Sequence, residues 1–199
     1  MIYTLANQIT TTLSKKNYIE IEEFDVVQYG LFTILSKFIY FLISLLVGFL
    51  FHCIIGSVIF YSSFLFVKKY AGGIHASTEQ RCFIYSTFSI VCSIGYMRLT
   101  IDYEHFGWLA IGIAFISTFF ICRYAPIPAR EKSIDFIERK RYSRISKIRV
   151  FILWTIILML FIAKMNNLIY AISIAIVLES ILLLIGKKSL SIKLSNDIA

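Results

Sequence analysis

Long stretches of this chain are apolar on every face that a helix or strand could present. Residues 38–67 contain no Asp, Glu, Lys or Arg, and at about 1.5 Å rise per residue they are too long for one straight bilayer crossing. Adding residues 31–37, where the Lys37 ammonium can snorkel, makes room for two spans that turn near His52 and Gly56. Further apolar runs follow at 83–97, 106–122, 150–163 and 168–185. The pattern predicts six spans. Several runs fall short of the roughly 20 residues a span needs, which leaves four spans with two partly inserted helices as the alternative.

Residues 1–30 behave differently. Ile2, Leu5, Ile9 and Leu13, then Ile19, Ile21, Phe24 and Val27, recur every three to four positions among polar residues. That spacing predicts one or two amphipathic helices lying on the membrane surface. The segment lacks a basic head, an apolar centre and a small-residue exit site, so no cleavable signal peptide is expected and the first span serves as the insertion signal.

Composition agrees with the pattern: 58% of the residues are apolar and 16% charged, and no water-soluble globule of this size hides that much apolar surface. The fold class expected is all-α, a polytopic integral membrane protein of about six transmembrane helices with an N-terminal amphipathic helix. One membrane domain spans 1–199, divided into an amphipathic segment at 1–30, a first hairpin at 31–67, a polar loop at 68–82, a second hairpin at 83–122, a basic loop at 123–149, a third hairpin at 150–186 and a tail at 187–199. No internal repeat or low-complexity tract interrupts it.

Charge orients these elements. The stretch 123–149 holds nine basic and three acidic residues, and the tail adds Lys187, Lys188 and Lys193. Loop 68–82 carries Lys68, Lys69 and Arg81 against Glu79, whereas loop 98–105 carries Arg98 against Asp102 and Glu104. Basic loops stay in the cytoplasm. With six spans, both termini and the 68–82 loop fall on the cytoplasmic side of the membrane, facing anionic lipid.

One polar segment, AGGIHASTEQRC, has the makings of a nucleophilic site: Gly72 and Gly73, then His75, then Cys82, where the chain re-enters the bilayer. A peptidase cysteine needs a base within hydrogen-bond reach to form thiolate. Seven residues are two helical turns, which puts both side chains on one face but about 10 Å apart. Direct contact therefore requires a bend, for which Gly72, Gly73 and Ser77 are the candidates. The glycine pair also lets a substrate backbone approach closely or offers N–H groups to an oxyanion. Lys68, Lys69 and Arg81 surround the site with positive charge that favours the Cys82 thiolate. Cys53, Cys92 and Cys122 read as structural, His52 and His105 as interfacial, and no Cys spacing suggests a disulfide framework. One His and one Cys make a poor zinc site, so no metal or cofactor is expected. Glu79, Glu131, Asp135, Ser77 and Thr78 are all available to orient His75, and spacing selects none of them.

The run from Lys68 through AGGIHA to Cys82, a following span, the YAPIP segment at 124–128 and the basic stretch after it resemble the AgrB family of accessory gene regulator proteins. The resemblance implies a membrane cysteine endopeptidase that removes the C-terminal tail of a small AgrD-type propeptide and helps close the rest into a thiolactone or lactone autoinducer for quorum sensing. It also implies that His75 is the base, Cys82 the nucleophile and Gly73 the family's glycine two places before the histidine. The family often has arginine where Lys68 stands, which keeps the charge but loses the bidentate fork. Pro126 and Pro128 read as helix terminators. Expected partners are the propeptide and membrane lipid, with no nucleic acid; a homodimer is an option that no residue argues for. Two other classes fit the spans: a small peptide exporter, pointed to by Lys37 and Glu179 within apolar runs, and a non-catalytic membrane scaffold.

Overall fold

The computed structural model describes residues 2–73, 79–127 and 135–196, and these residues fold into helices with no strand among them. In chain order they are α1 (Ile2–Lys15), α2 (Phe24–Leu50), α3 (Ile54–Ala71), α4 (Glu79–Asp102), α5 (Glu104–Tyr124), α6 (Phe136–Ile162) and α7 (Asn166–Asn196), with a 3₁₀ turn at Ile21–Glu23 before α2. The six helices after α1 are all long and apolar enough to cross a bilayer. Large side chains such as Phe115, Phe119, Leu158 and Met159 are exposed. In water that would be costly; toward lipid it is the expected arrangement. The protein is a multi-pass membrane protein built of helices.

The chain divides into two compact units, Met1–Ile43 and Ser44–Ala199. In the first, α1 buries Ile2, Ala6 and Thr10 on one face and leaves Asn7 and Gln8 exposed; of the apolar stripe expected of it only Ile2 is buried, Ile9 and Leu13 being half-buried and Leu5 exposed. Thr10 satisfies its buried hydroxyl by donating to the Ala6 carbonyl at 2.9 Å. Gln28 Nε2 donates to Asn7 Oδ1 at 3.1 Å, and the Tyr3 and Phe32 rings meet edge to face, so the beginning of α2 holds α1. The second amphipathic stretch predicted in this region is absorbed from Phe24 onward into α2.

The second unit is organised around α7. Of its apolar window 61% is buried, against 11–39% in the other five spans, so α7 runs through the middle of the packing. α5 packs on it closely because Gly107, Ala110, Ala114 and Ser117 form a stripe of small buried residues at helical spacing. A Cβ at Gly107 would overlap the ring of Tyr170, a fully buried residue of α7. The core joins Val67 and Ala71 of α3, Ile121 of α5, Val150 and Leu153 of α6, and Ile176 and Leu183 of α7.

Several boundaries differ from the sequence pattern. The first hairpin turns at residues 51–53, with His52 at φ 55°, but Gly56 lies inside α3, where an added Cβ would meet the Met97 side chain. That glycine makes room for a neighbour; it does not turn the chain. Likewise α6 begins at Phe136, so residues 136–149 of the basic stretch are a helical extension of a span. The Asp135 side chain caps this extension, accepting from the Phe136 N–H at 2.7 Å.

A clamped glycine corner as candidate active site

Helix α3 stops because Gly72 adopts φ 80°, ψ −139°, a conformation that side chains oppose. Its N–H donates to the Lys68 carbonyl at 3.1 Å, and Gly73 follows at φ 132°. Both glycines therefore take a positive φ, while the approach of His75 to Cys82 that the bend was expected to allow lies outside the described residues. A second segment holds it. Ile127, just beyond the end of α5, donates its N–H to the Ala71 carbonyl at 3.0 Å and pairs with Gly72 in an isolated parallel bridge. Gly72 has no room for a Cβ because the Ile127 carbonyl oxygen occupies that place. Gly73 is buried against α7, with Leu182 Cβ 3.8 Å from where its own Cβ would lie.

The Ala125–Pro126 peptide in this clamp is cis. Read from sequence as a helix terminator, the YAPIP segment does end α5, at Tyr124. It also supplies Ile127, a role that nothing in its spelling announces.

Beyond the corner, α4 starts at Glu79 and carries Cys82 in its first turn, half-buried and free, next to the exposed Arg81. His75 and the candidate orienters Ser77 and Thr78 lie outside the described residues, as does Glu131. Asp135 is committed to its cap on α6. The other cysteines occupy different settings: Cys92 is lipid-exposed along α4, and Cys122 lies within α5. Cys53 is buried at the opposite turn, where burial pushes its thiol up and Arg98 only partly offsets that.

The corner is ringed by cations that lie against aromatic rings. Lys68 Nζ is 4.8 Å from the Phe64 centroid and Lys69 Nζ 5.5 Å from that of Tyr70. Lys187 of α7 lies 3.7 Å from the Tyr124 centroid. Arg149 of α6 stands 4.5 Å from the Phe66 centroid and 4.2 Å from that of Tyr70, and its guanidinium also donates to the Phe66 carbonyl. Contact with two rings and a simultaneous hydrogen bond draws on the breadth and several donors of the guanidinium, which an ammonium cannot copy. Arg149→Lys is expected to cost about 1–2 kcal/mol. The check is the thermal midpoint of the detergent-purified variant; an unchanged midpoint removes Arg149 from the frame that holds α3.

A family model described as accessory gene regulator B matches residues 6–183. The chain belongs to the AgrB family. Over 187 residues it is 22% identical to a putative AgrB-like protein of Clostridium perfringens (strain SM101), an alignment covering 92% of this chain and 87% of that protein. Over 138 residues it is 25% identical to accessory gene regulator protein B of Staphylococcus aureus (strain JH9), covering 68% of this chain and 72% of that protein. No solved structure matches. As an AgrB-family member the chain has an accessory gene regulator role, carried out by a multi-pass helical membrane protein.

Proposed function

We propose that this AgrB-family chain is a membrane-embedded cysteine endopeptidase that cuts the C-terminal tail from a small AgrD-type propeptide and assists closure of the remainder into a thiolactone or lactone. The observation that carries the reading is the corner itself: a glycine pair pinned to Ile127, ringed by cations, leading into a helix with a free, accessible cysteine in its first turn. The thiolate is the form of cysteine that attacks, and Cys82 is free and only half-buried.

In the reaction, the Cys82 sulfur attacks the carbonyl at the C-terminal edge of the future ring. The C–N bond breaks, His75 delivers its proton to the departing amine, and the peptide stays on Cys82 as a thioester. A thiol or hydroxyl within the bound peptide then displaces Cys82 and closes the ring. Exchange between thioesters is nearly balanced, so closure depends on keeping water out, which a site at the membrane boundary favours. The gathering of Lys68, Lys69, Arg123, Lys187 and the basic half of α6 at the corner end supports a cytoplasmic site, with both termini on the same side.

The thioester gives a direct test. Purified protein mixed with synthetic propeptide and quenched in acid is expected to carry the N-terminal fragment on the tryptic peptide containing Cys82, and hydroxylamine should release it. Tail release with no adduct, unaffected by prior alkylation of Cys82, would rule the mechanism out.

A further inference from the structure

Where α3 meets α6, the cleavage mechanism leaves a cluster of side chains unused. Val67 of α3 and Val150 of α6 join in the core. Beyond them, toward the corner end, the contact between the two helices becomes aromatic and cationic. Tyr70 and Tyr142 meet edge to face at 5.5 Å between centroids, and Lys69 and Arg149 both lie within 5.5 Å of the Tyr70 centroid.

This cluster stands at the level of lipid headgroups. α3 has 18 residues, about 27 Å at 1.5 Å per residue and close to the hydrocarbon thickness of a bilayer, which puts Lys69 and Tyr70 of its last turn at the boundary. Arg149 directly precedes Val150, where the apolar part of α6 begins. It is not a loose surface charge: the Phe66 carbonyl and the Phe66 and Tyr70 rings hold it. The bond to Phe66 uses one of the five guanidinium N–H donors. Among the described residues neither Arg149 nor Lys69 has a carboxylate partner. The acid on the same face of α6, Glu138, lies three turns back, about 16 Å along the axis. Positive charge fixed at a membrane boundary without a counter-charge calls for an anion from outside the chain.

The apolar surface beside it indicates which anion. Three and seven places after Arg149, on its own face of α6, Ile152 and Ile156 are exposed. A lipid uses both features, a charged head at Arg149 and an acyl chain along the two isoleucines. The acidic end of a peptide would use only the first.

We propose that the corner end of the α3–α6 cleft is a binding site for an anionic phospholipid, its headgroup held by Arg149 and Lys69 and one acyl chain lying along Ile152 and Ile156. The site stands on the packing of α3 and α6 and does not depend on the peptidase reading.

Native mass spectrometry of the full chain in mild detergent tests it, with dioleoylphosphatidylglycerol and dioleoylphosphatidylcholine as the probes. The unmodified chain is expected to bind the anionic lipid at least about tenfold more tightly. Lys69→Gln should reduce that preference about fivefold, the contribution of one cation at an anionic surface, and Arg149→Gln should nearly abolish it. Arg144→Gln removes the same charge from another, exposed face of α6 and is expected to leave the preference unchanged. Equal losses in Lys69→Gln and Arg144→Gln, or no preference in the unmodified chain, overturn the site in favour of diffuse attraction. If Arg149→Gln does not accumulate in the membrane, the comparison of Lys69→Gln with Arg144→Gln decides alone. Displacement of the lipid by millimolar inorganic phosphate would assign the two cations to a free anion and overturn the lipid site. So would a synthetic acidic peptide that binds through Lys69 and Arg149 where phosphatidylglycerol does not.

Discussion

Replacing Cys82 by alanine is expected to lower propeptide cleavage by about four orders of magnitude or more while leaving the protein in the membrane at its normal amount. The size follows from covalent catalysis: without the sulfur there is no acyl intermediate, and the positioned groups that remain cannot substitute for a nucleophile. The structural cost is small because Cys82 is half-buried, free and on the first turn of α4, away from the cluster centred on α7. His75→Ala is expected to show a comparable loss, since nucleophile and base fail as a unit. Cys53→Ala, Cys92→Ala and Cys122→Ala serve as controls for loss of any thiol, and each is expected to retain cleavage. The measurement is the ratio of full-length to truncated propeptide by mass spectrometry after co-expression, normalised to membrane-extracted protein. Cleavage by Cys82→Ala at even a tenth of the normal rate would return Cys82 to the same class as the other three.

Much of the membrane frame was legible because the bilayer imposes one rule, continuous apolar surface, that composition alone satisfies. The six spans expected correspond to α2 through α7, and the turn near His52 followed from the length of the uncharged run 38–67, too long for one crossing. The ends were not legible. α2 reaches back to Phe24 and α6 to Phe136 because a helix needs only its hydrogen-bonded backbone and continues into charged sequence beyond the hydrocarbon. Gly56 misled for a related reason: a glycine marks either a turn or a close helix contact, and only the Met97 side chain beside it decides which.

At the corner, Gly72 and Gly73 could be picked out because two adjacent glycines between spans advertise positive φ. Ile127 could not. Its partners Ala71 and Gly72 are more than fifty residues away, and tertiary pairing of single residues leaves no periodic trace. Glu179 was visible as a charge within an apolar run, where it suggested transport. α7 is buried around most of its circumference, so no amphipathic pattern revealed which neighbour Glu179 faces.

Gly72→Ala is the second large effect expected, and it separates the corner as a catalytic device from the corner as spelling. At φ 80°, ψ −139° an alanine is strained by about 1–3 kcal/mol, and its methyl group would also occupy the position of the Ile127 carbonyl oxygen. Relieving that overlap requires the Ala71–Ile127 hydrogen bond to open, which releases the segment after α5 from the end of α3. The helices themselves are held elsewhere, by the α5–α7 and α3–α7 packing, so the variant should still insert. What it loses is the Ile127 clamp on the end of α3, and a displacement of about 1 Å at a reacting group is enough to cost about a hundredfold. Gly73→Ala is the internal comparison. It too suffers from positive φ, but its methyl would meet Leu182 at 3.8 Å, an ordinary contact. Cleavage is therefore expected to fall about 100-fold in Gly72→Ala and about tenfold in Gly73→Ala at equal amounts of membrane protein. If the order is reversed, the pinning by Ile127 does not govern the site; if neither variant loses activity, the corner is not part of the chemistry.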